Sequence, residues 1–192
     1  LESKKFILVN KLLLFFSTLL LISSCSNQKD LNINSLNCEK KIETNLVRYS
    51  TSAFNVSFPK GHNRAKERNI KNGILLSQEL PMDSTLKGMA PSIGVFFLKD
   101  SVELSSYFAK RVTQIDSSKQ TTLIEKGEIA INNKEFKWFL METSKNYKQE
   151  PLRGIAFHTK HNGNIAIFSV LEMAKENSLC KYLPSLYTLN FK

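Results

Sequence analysis

Alternating apolar and polar positions predict that most of this chain folds into β-strands. In the segment Phe54–Pro59, apolar residues recur at every second position before Pro59-Lys60-Gly61 interrupts the pattern. Comparable strand patterns cover residues 73–80, 93–98, 121–131, 135–143, 153–159 and 164–173. The pairs Asn132-Asn133 and Asn162-Gly163 tolerate the left-handed backbone of tight hairpin turns, so the last four strands are predicted to form an antiparallel meander.

Helical spacing replaces this alternation in two segments. After Lys99, apolar residues recur at 104, 107, 108, 112 and 115, which predicts an amphipathic helix over 101–116. Asp100 and Glu103 are spaced to form a capping box at its start. A second helix is predicted over 175–187, where Pro184 should kink it or delay its beginning, and an extended tail follows over 189–192.

The order of these elements predicts an α+β fold. Three strands, a helix, four strands and a final helix favour an antiparallel β-sheet of about six to seven strands flanked by two amphipathic helices. The chain of 192 residues is 42% hydrophobic and 23% charged, which is typical of a globular protein. We therefore expect a single α+β domain over residues 46–192.

The N-terminal residues have the features of a bacterial secretion signal. Lys4 and Lys5 precede the apolar run Leu12–Ile22, which as a helix would span about 16 Å, less than the roughly 30 Å of a bilayer core. The sequence Ile22-Ser23-Ser24-Cys25 then resembles the lipobox of bacterial lipoproteins. This resemblance implies a signal peptide over 1–24 and a lipid on Cys25; a plain secretory signal and an uncleaved anchor are the alternatives.

The polar, asparagine-rich residues 25–45 are predicted to form a flexible tether between the lipid and the domain. Ser26, rather than an aspartate, follows Cys25 and points to the outer membrane. We expect the protein to be lipid-anchored in the bacterial cell envelope, facing the periplasm.

Once Cys25 is lipidated, Cys38 and Cys180 remain as an even pair in an oxidising compartment. A disulfide between them would close a loop of about 140 residues and contribute about 4–5 kcal/mol in the chain-entropy model. Two separate buried thiols are the alternative.

The formal net charge of +10 raises nucleic acid as a partner class. Removing residues 1–24 leaves 24 basic and 16 acidic side chains, a net of +8, and only five of the basic residues are arginines. Because arginine is the residue suited to bidentate recognition of phosphates and bases, this composition favours solvated lysines and argues against nucleic-acid binding.

A basic cluster stands out within residues 60–72, which are interpreted as a polar loop. It comprises Lys60, His62, Arg64, Lys66, Arg68 and Lys71. Such a cationic loop can meet anionic lipid head groups or an acidic partner, and the alternative is a solvated charged loop.

The layout of the predicted domain resembles the PsbP and DcrB group of envelope and thylakoid-lumen proteins. The resemblance rests on the strand Phe54–Pro59, the helix opening at Ser101, the hairpin around Asn132-Asn133, the Asn162-Gly163 turn and the helix before Leu189. It implies an antiparallel sheet between helical layers and a binding or assembly role, and it supplies no site residues.

No motif for catalysis, a cofactor or a metal stands out. His158 and His161 are interpreted as solvated hairpin residues pointing to opposite faces of a strand, without a nearby acid or cysteine to complete a metal site. The sequence lacks a G-x-S-x-G elbow and a glycine-rich phosphate loop. Trp138 and Phe136 either line a ligand groove or belong to the core, as is usual for such a strand.

These observations lead to one leading functional hypothesis. We expect a non-catalytic binding or assembly factor with no cofactor, held at the membrane through Cys25 and bound to an envelope protein through a sheet edge or the basic loop. An envelope hydrolase and a carrier of a small molecule or metal are the alternatives.

The lipobox generates the first testable prediction. In Cys25→Ser, which removes the thiol that accepts the lipid, the precursor should accumulate unprocessed and the protein should move from the detergent phase to the aqueous phase. Immunoblotting after detergent phase partitioning measures both changes, with Cys38→Ser as the matched control. Unchanged processing and partitioning of Cys25→Ser would contradict lipidation.

Overall fold

The computed structural model describes residues 45–60, 64–79, 91–144, 151–175 and 179–192. The predicted signal peptide, Cys25, Cys38, His62 and all of the tether except its last residue lie outside these ranges.

The described residues form ten strands and two short α-helices. The strands are β1 (Leu46–Ser50), β2 (Phe54–Pro59), β3 (Lys66–Ile70), β4 (Gly73–Glu79), β5 (Ser92–Leu98), β6 (Thr121–Ile131), β7 (Lys134–Thr143), β8 (Leu152–His161), β9 (Asn164–Met173) and β10 (Asn190–Phe191). The helices are α1 (Leu104–Asp116) and α2 (Leu183–Tyr187), and a 3-10 turn over Leu179–Tyr182 precedes α2. The chain is thus α+β in character and mostly antiparallel sheet.

Seven of these strands make one antiparallel sheet in the order β3-β4-β5-β9-β8-β7-β6. The predicted meander is confirmed, because β6, β7, β8 and β9 pair in sequence. Its two predicted turns have the expected left-handed backbone, with φ of 50° at Asn132, 59° at Asn133, 48° at Asn162 and 76° at Gly163. The outer strand β6 carries a bulge between Leu123 and Glu125.

A second sheet, in the order β1-β2-β10, covers one face of the large sheet. Phe54, Val56 and Phe58 of β2 belong to the same buried cluster as Ile93 of β5 and Phe168 of β9. The turn over Leu179–Tyr182 and α2 extend this layer with further buried side chains: Leu179, Tyr182, Leu183 and Leu186. A sheet together with short helical turns therefore covers this face, where the sequence pattern predicted a helix alone.

The helix α1 packs on the opposite face, against β6, β7 and β8. Val112 and Ile115 are buried there with Phe139 and Ala156. The predicted capping box does not form: Glu103 is the N-cap residue and makes no side-chain cap bond. Asp100 instead accepts a hydrogen bond from the backbone N–H of Val102, so the helix begins three residues later than predicted.

The second helix is much shorter than the prediction over 175–187. Pro184 lies in the first turn of α2, where its missing N–H costs no helical hydrogen bond. Pro184 was expected either to kink the helix or to delay its beginning, and the structure shows the delay.

Two strands were not predicted. The strand β1 falls at the junction with the predicted tether, and β3 falls inside the segment interpreted as a basic loop. β3 forms a hairpin with β4 in which Ile70 pairs with Gly73 around Lys71-Asn72. Lys66 and Arg68 of the basic cluster therefore lie on the edge strand of the large sheet and not in a loop. Arg64 precedes this strand, Lys71 lies in the turn after it, and Lys60 follows β2.

A matched pair of substitutions tests whether the small sheet belongs to the common core. Val56 is 1% exposed in β2 and Val47 is 37% exposed in the neighbouring β1. Val56→Ala should lower the free energy of unfolding by about 2 kcal/mol, because it leaves a cavity, whereas Val47→Ala should change it by less than about 0.5 kcal/mol. Chemical denaturation measures both; equal effects would show that the sheet does not pack as described.

Candidate functional site

Among the residues that the structure describes, α1 leaves part of its face of the large sheet uncovered. Beside the helix lies an apolar groove of about 440 Å³, bounded by α1 on one side and extending over β8, β9 and β5 to β4. This volume lies within the roughly 300–1,000 Å³ range of small-molecule sites.

A row of small residues forms the floor of this groove. Ser77 of β4, Gly94 of β5, Ser169 of β9 and Ala156 of β8 are successive partners across four neighbouring strands. A Cβ atom on Gly94 would lie 3.1 Å from the Leu76 carbonyl oxygen, tighter than ordinary contact. Because partners share one face of a sheet, this row makes a trough across the strands.

Larger apolar side chains form the sides of the trough. They include Met141 of β7 and four side chains that stand two positions along their strands from the small residues, namely Leu75, Phe96, Ile167 and Leu171. Most of these side chains are half-buried, so their apolar surface faces the groove. The lining is therefore suited to an apolar ligand.

Tyr107 and Arg111 line the groove from the side of α1. Burial raises the pKa of the Tyr107 phenol above its ordinary value, and the positive charge of Arg111 opposes that rise. Arg111 Nη1 donates a hydrogen bond to Gln114 Oε1 at 2.9 Å. These two side chains supply polar atoms at one end of the groove.

His158 also lines the groove but is 1% exposed, contrary to its interpretation as a solvated hairpin residue. Its ring contacts Phe108 at 5.4 Å and Phe139 at 5.1 Å between centroids. Its Nδ1 lies 3.3 Å from the Lys137 carbonyl oxygen. Burial lowers the pKa of His158 to about 4, an effect that the hydrogen bond to Lys137 opposes and the charge of Arg111 reinforces. The imidazole is therefore neutral at physiological pH.

A second, cationic pocket of about 270 Å³ adjoins this groove. It is lined by Arg64, Lys66, Arg68, Ser77 and Glu79. Lys66 pairs with Ser77 and Arg68 pairs with Leu75, so both cations lie on the same face of the sheet as the groove. Of the predicted basic patch, Lys60 and Lys71 are exposed but do not line this pocket.

The remaining predicted residues lie elsewhere. Cys180 is disulfide-bonded, and its partner lies outside the described ranges. Trp138 and Phe136 belong to the core and do not line the groove. His161 stacks on Phe191, on the opposite side of the sheet from His158. Within the described ranges, no group of three metal-ligating side chains comes together.

Sequence reasoning missed the groove, although one signal of it is visible. Gly94 and Ser169 interrupt otherwise apolar strands, and small residues in such strands mark places where a ligand or another chain segment approaches closely. Alternation alone gives no measure of how far α1 extends over the sheet.

Comparisons with known proteins identify no family. No protein-family model and no curated protein matches the sequence. A solved structure with some similarity is that of PA94 from Pseudomonas aeruginosa, a protein of unknown function; it is 11% identical, has a TM-score of 0.47, and the match covers 76% of this chain and 96% of that chain. At this level of similarity nothing about PA94 carries over to this chain.

None of the helices within the described ranges is both long enough and apolar enough to span a membrane.

The buried His158 predicts a pH dependence of stability. Its pKa rises from about 4 in the folded protein to the ordinary 6.5 on unfolding, so below pH 6.5 the unfolded state takes up a proton that the folded state does not. As far as His158 is concerned, the free energy of unfolding is greatest above pH 6.5 and should fall by up to about 3 kcal/mol as the pH approaches 4.

The measurement is the free energy of unfolding between pH 7 and 4. His158→Phe keeps an aromatic ring but cannot titrate, and it should flatten the decline; His161→Gln, at the hairpin, should not. A decline that is equally steep in His158→Phe would assign the pH dependence to other groups.

Proposed function

We propose that this chain is a non-catalytic binding factor of the bacterial cell envelope, and that the groove beside α1 is its binding site. The observation that carries the proposal is the trough of small residues, flanked by apolar side chains, on the part of the sheet face that no described element covers. Apolar protein surface in contact with water favours binding of an apolar ligand, because the ligand displaces that water.

The state of His158 favours binding over catalysis. A general base needs a pKa near the working pH, and a pKa of about 4 makes this imidazole a weak proton acceptor. Its ring lies among the aromatic side chains of Tyr107, Phe108 and Phe139, which support it as part of the groove wall.

The envelope location in this proposal rests on the N-terminal sequence. The basic residues, the short apolar run and the lipobox at Cys25 favour a lipid-anchored protein, with the outer membrane as the expected site. The disulfide bond of Cys180 is in keeping with an oxidising compartment, and we propose Cys38 as its partner.

We also propose that the fold is a variant of the PsbP/DcrB-like α/β/α sandwich. In support, helical elements lie on both faces of the large sheet, with α1 on one and α2 on the other. The small sheet β1-β2-β10 would then be an addition to the layer that contains α2.

A carrier of a small molecule is the form of binding that the groove favours. The groove has the volume of a small-molecule site and a mainly apolar lining, whereas the exposed edge strand β3 presents charged side chains that discourage strand pairing with another protein. An envelope protein partner then acts as donor or acceptor of the ligand.

A neutral, environment-sensitive dye such as Nile red tests the groove directly. The protein should bind the dye at one site with increased fluorescence, and Ser169→Leu, which fills the floor of the trough, should weaken binding by about tenfold or more. Ser105→Leu introduces the same side chain on the exposed face of α1 and should bind like the unmodified protein.

The decisive comparison is between the two leucine variants. Equal dye binding by Ser169→Leu, Ser105→Leu and the unmodified protein would place the dye elsewhere and contradict the groove as a binding site. Circular dichroism confirms that both variants are folded.

A further inference from the structure

The apolar groove and the cationic pocket form one continuous surface. Ser77 lines both, at the point where the row of small residues reaches the edge of the sheet. The next residue across the sheet in this row is Lys66, the partner of Ser77 on β3. A ligand lying along the trough therefore reaches a lysine at the end of it.

The charge at this end is strongly positive. Three cations, Arg64, Lys66 and Arg68, share the pocket with a single carboxylate, that of Glu79. Ion pairs in the described part of the chain are formed by other cations, among them Lys137, Arg153 and Lys160. The cationic pocket thus keeps an excess of positive charge facing solvent.

From this juxtaposition we propose that the ligand is an anionic amphiphile, a small molecule with an apolar chain and a phosphate or carboxylate head group. This inference rests on the proposed function, since the chain occupies the groove. The head group lies in the cationic pocket, where Arg64 and Arg68 can bind its oxygens through paired N–H donors and Lys66 adds a point charge.

The geometry favours this class over an anion alone or a neutral lipid. An inorganic anion uses only the pocket on the exposed edge strand, where ion pairing with surface side chains is weak. A neutral lipid uses only the groove and leaves the cations without a partner. An anionic amphiphile uses both, and its head group remains near solvent while its chain is buried.

Isothermal titration calorimetry with decyl phosphate, below its micelle concentration, tests the proposal. Decyl phosphate should bind at least about tenfold more tightly than its neutral analogue 1-decanol, and much more tightly than inorganic phosphate. The double variant Lys66→Gln/Arg68→Gln should lose about tenfold in affinity for decyl phosphate and keep its affinity for 1-decanol. Lys110→Gln/Lys119→Gln removes two exposed lysines away from both pockets and should have no effect.

The outcomes separate this inference from the proposed function. Equal affinities for decyl phosphate and 1-decanol would overturn the anionic class while leaving the apolar groove as a binding site. No binding of either compound would overturn both. Inorganic phosphate binding as tightly as decyl phosphate would show an anion site that makes no use of the groove.

A measurement on the unmodified chain provides a second check. Raising the salt concentration should weaken binding of decyl phosphate through screening of the cationic pocket and leave binding of 1-decanol undiminished. The same salt response for both compounds would overturn the role of the cations.

Discussion

The structure depends on how the two apolar faces of a seven-stranded sheet are covered, because the elements on the two faces differ in width. Seven strands spaced about 4.8 Å apart span roughly 29 Å, whereas one helix with its side chains is only about 10–12 Å wide. On one face, the sheet β1-β2-β10 and α2 together cover the strands. On the other face, α1 is the one helix among the described residues, and it covers β6, β7 and β8. The groove is the consequence of that mismatch in width.

Much of the sheet could be predicted because most of its strands alternate apolar and polar residues. Strands β2, β6 and β9 have the predicted bounds, since alternation and turn residues mark both ends of each. The strand β3 was missed for a physical reason: Lys66, Glu67 and Arg68 are exposed on both faces, so the strand exists through backbone pairing with β4 and carries no alternation.

The candidate site was harder to predict than the fold because it arises from tertiary packing. The basic residues Lys66 and Arg68 were identified from their charge, but their place beside a groove depends on the register with β4. His158 stands near a hairpin turn and suggests exposure, yet the side chains of α1 cover it. Within the described ranges, the length and position of α1 decide which part of this sheet face remains open.

The two edges of the large sheet have a further consequence for assembly. The bulge in β6 interrupts the regular hydrogen-bond ladder at one edge, and the charged side chains of β3 disfavour strand pairing at the other edge. Copies of this protein crowded onto a surface therefore have little tendency to join their sheets into extended ribbons.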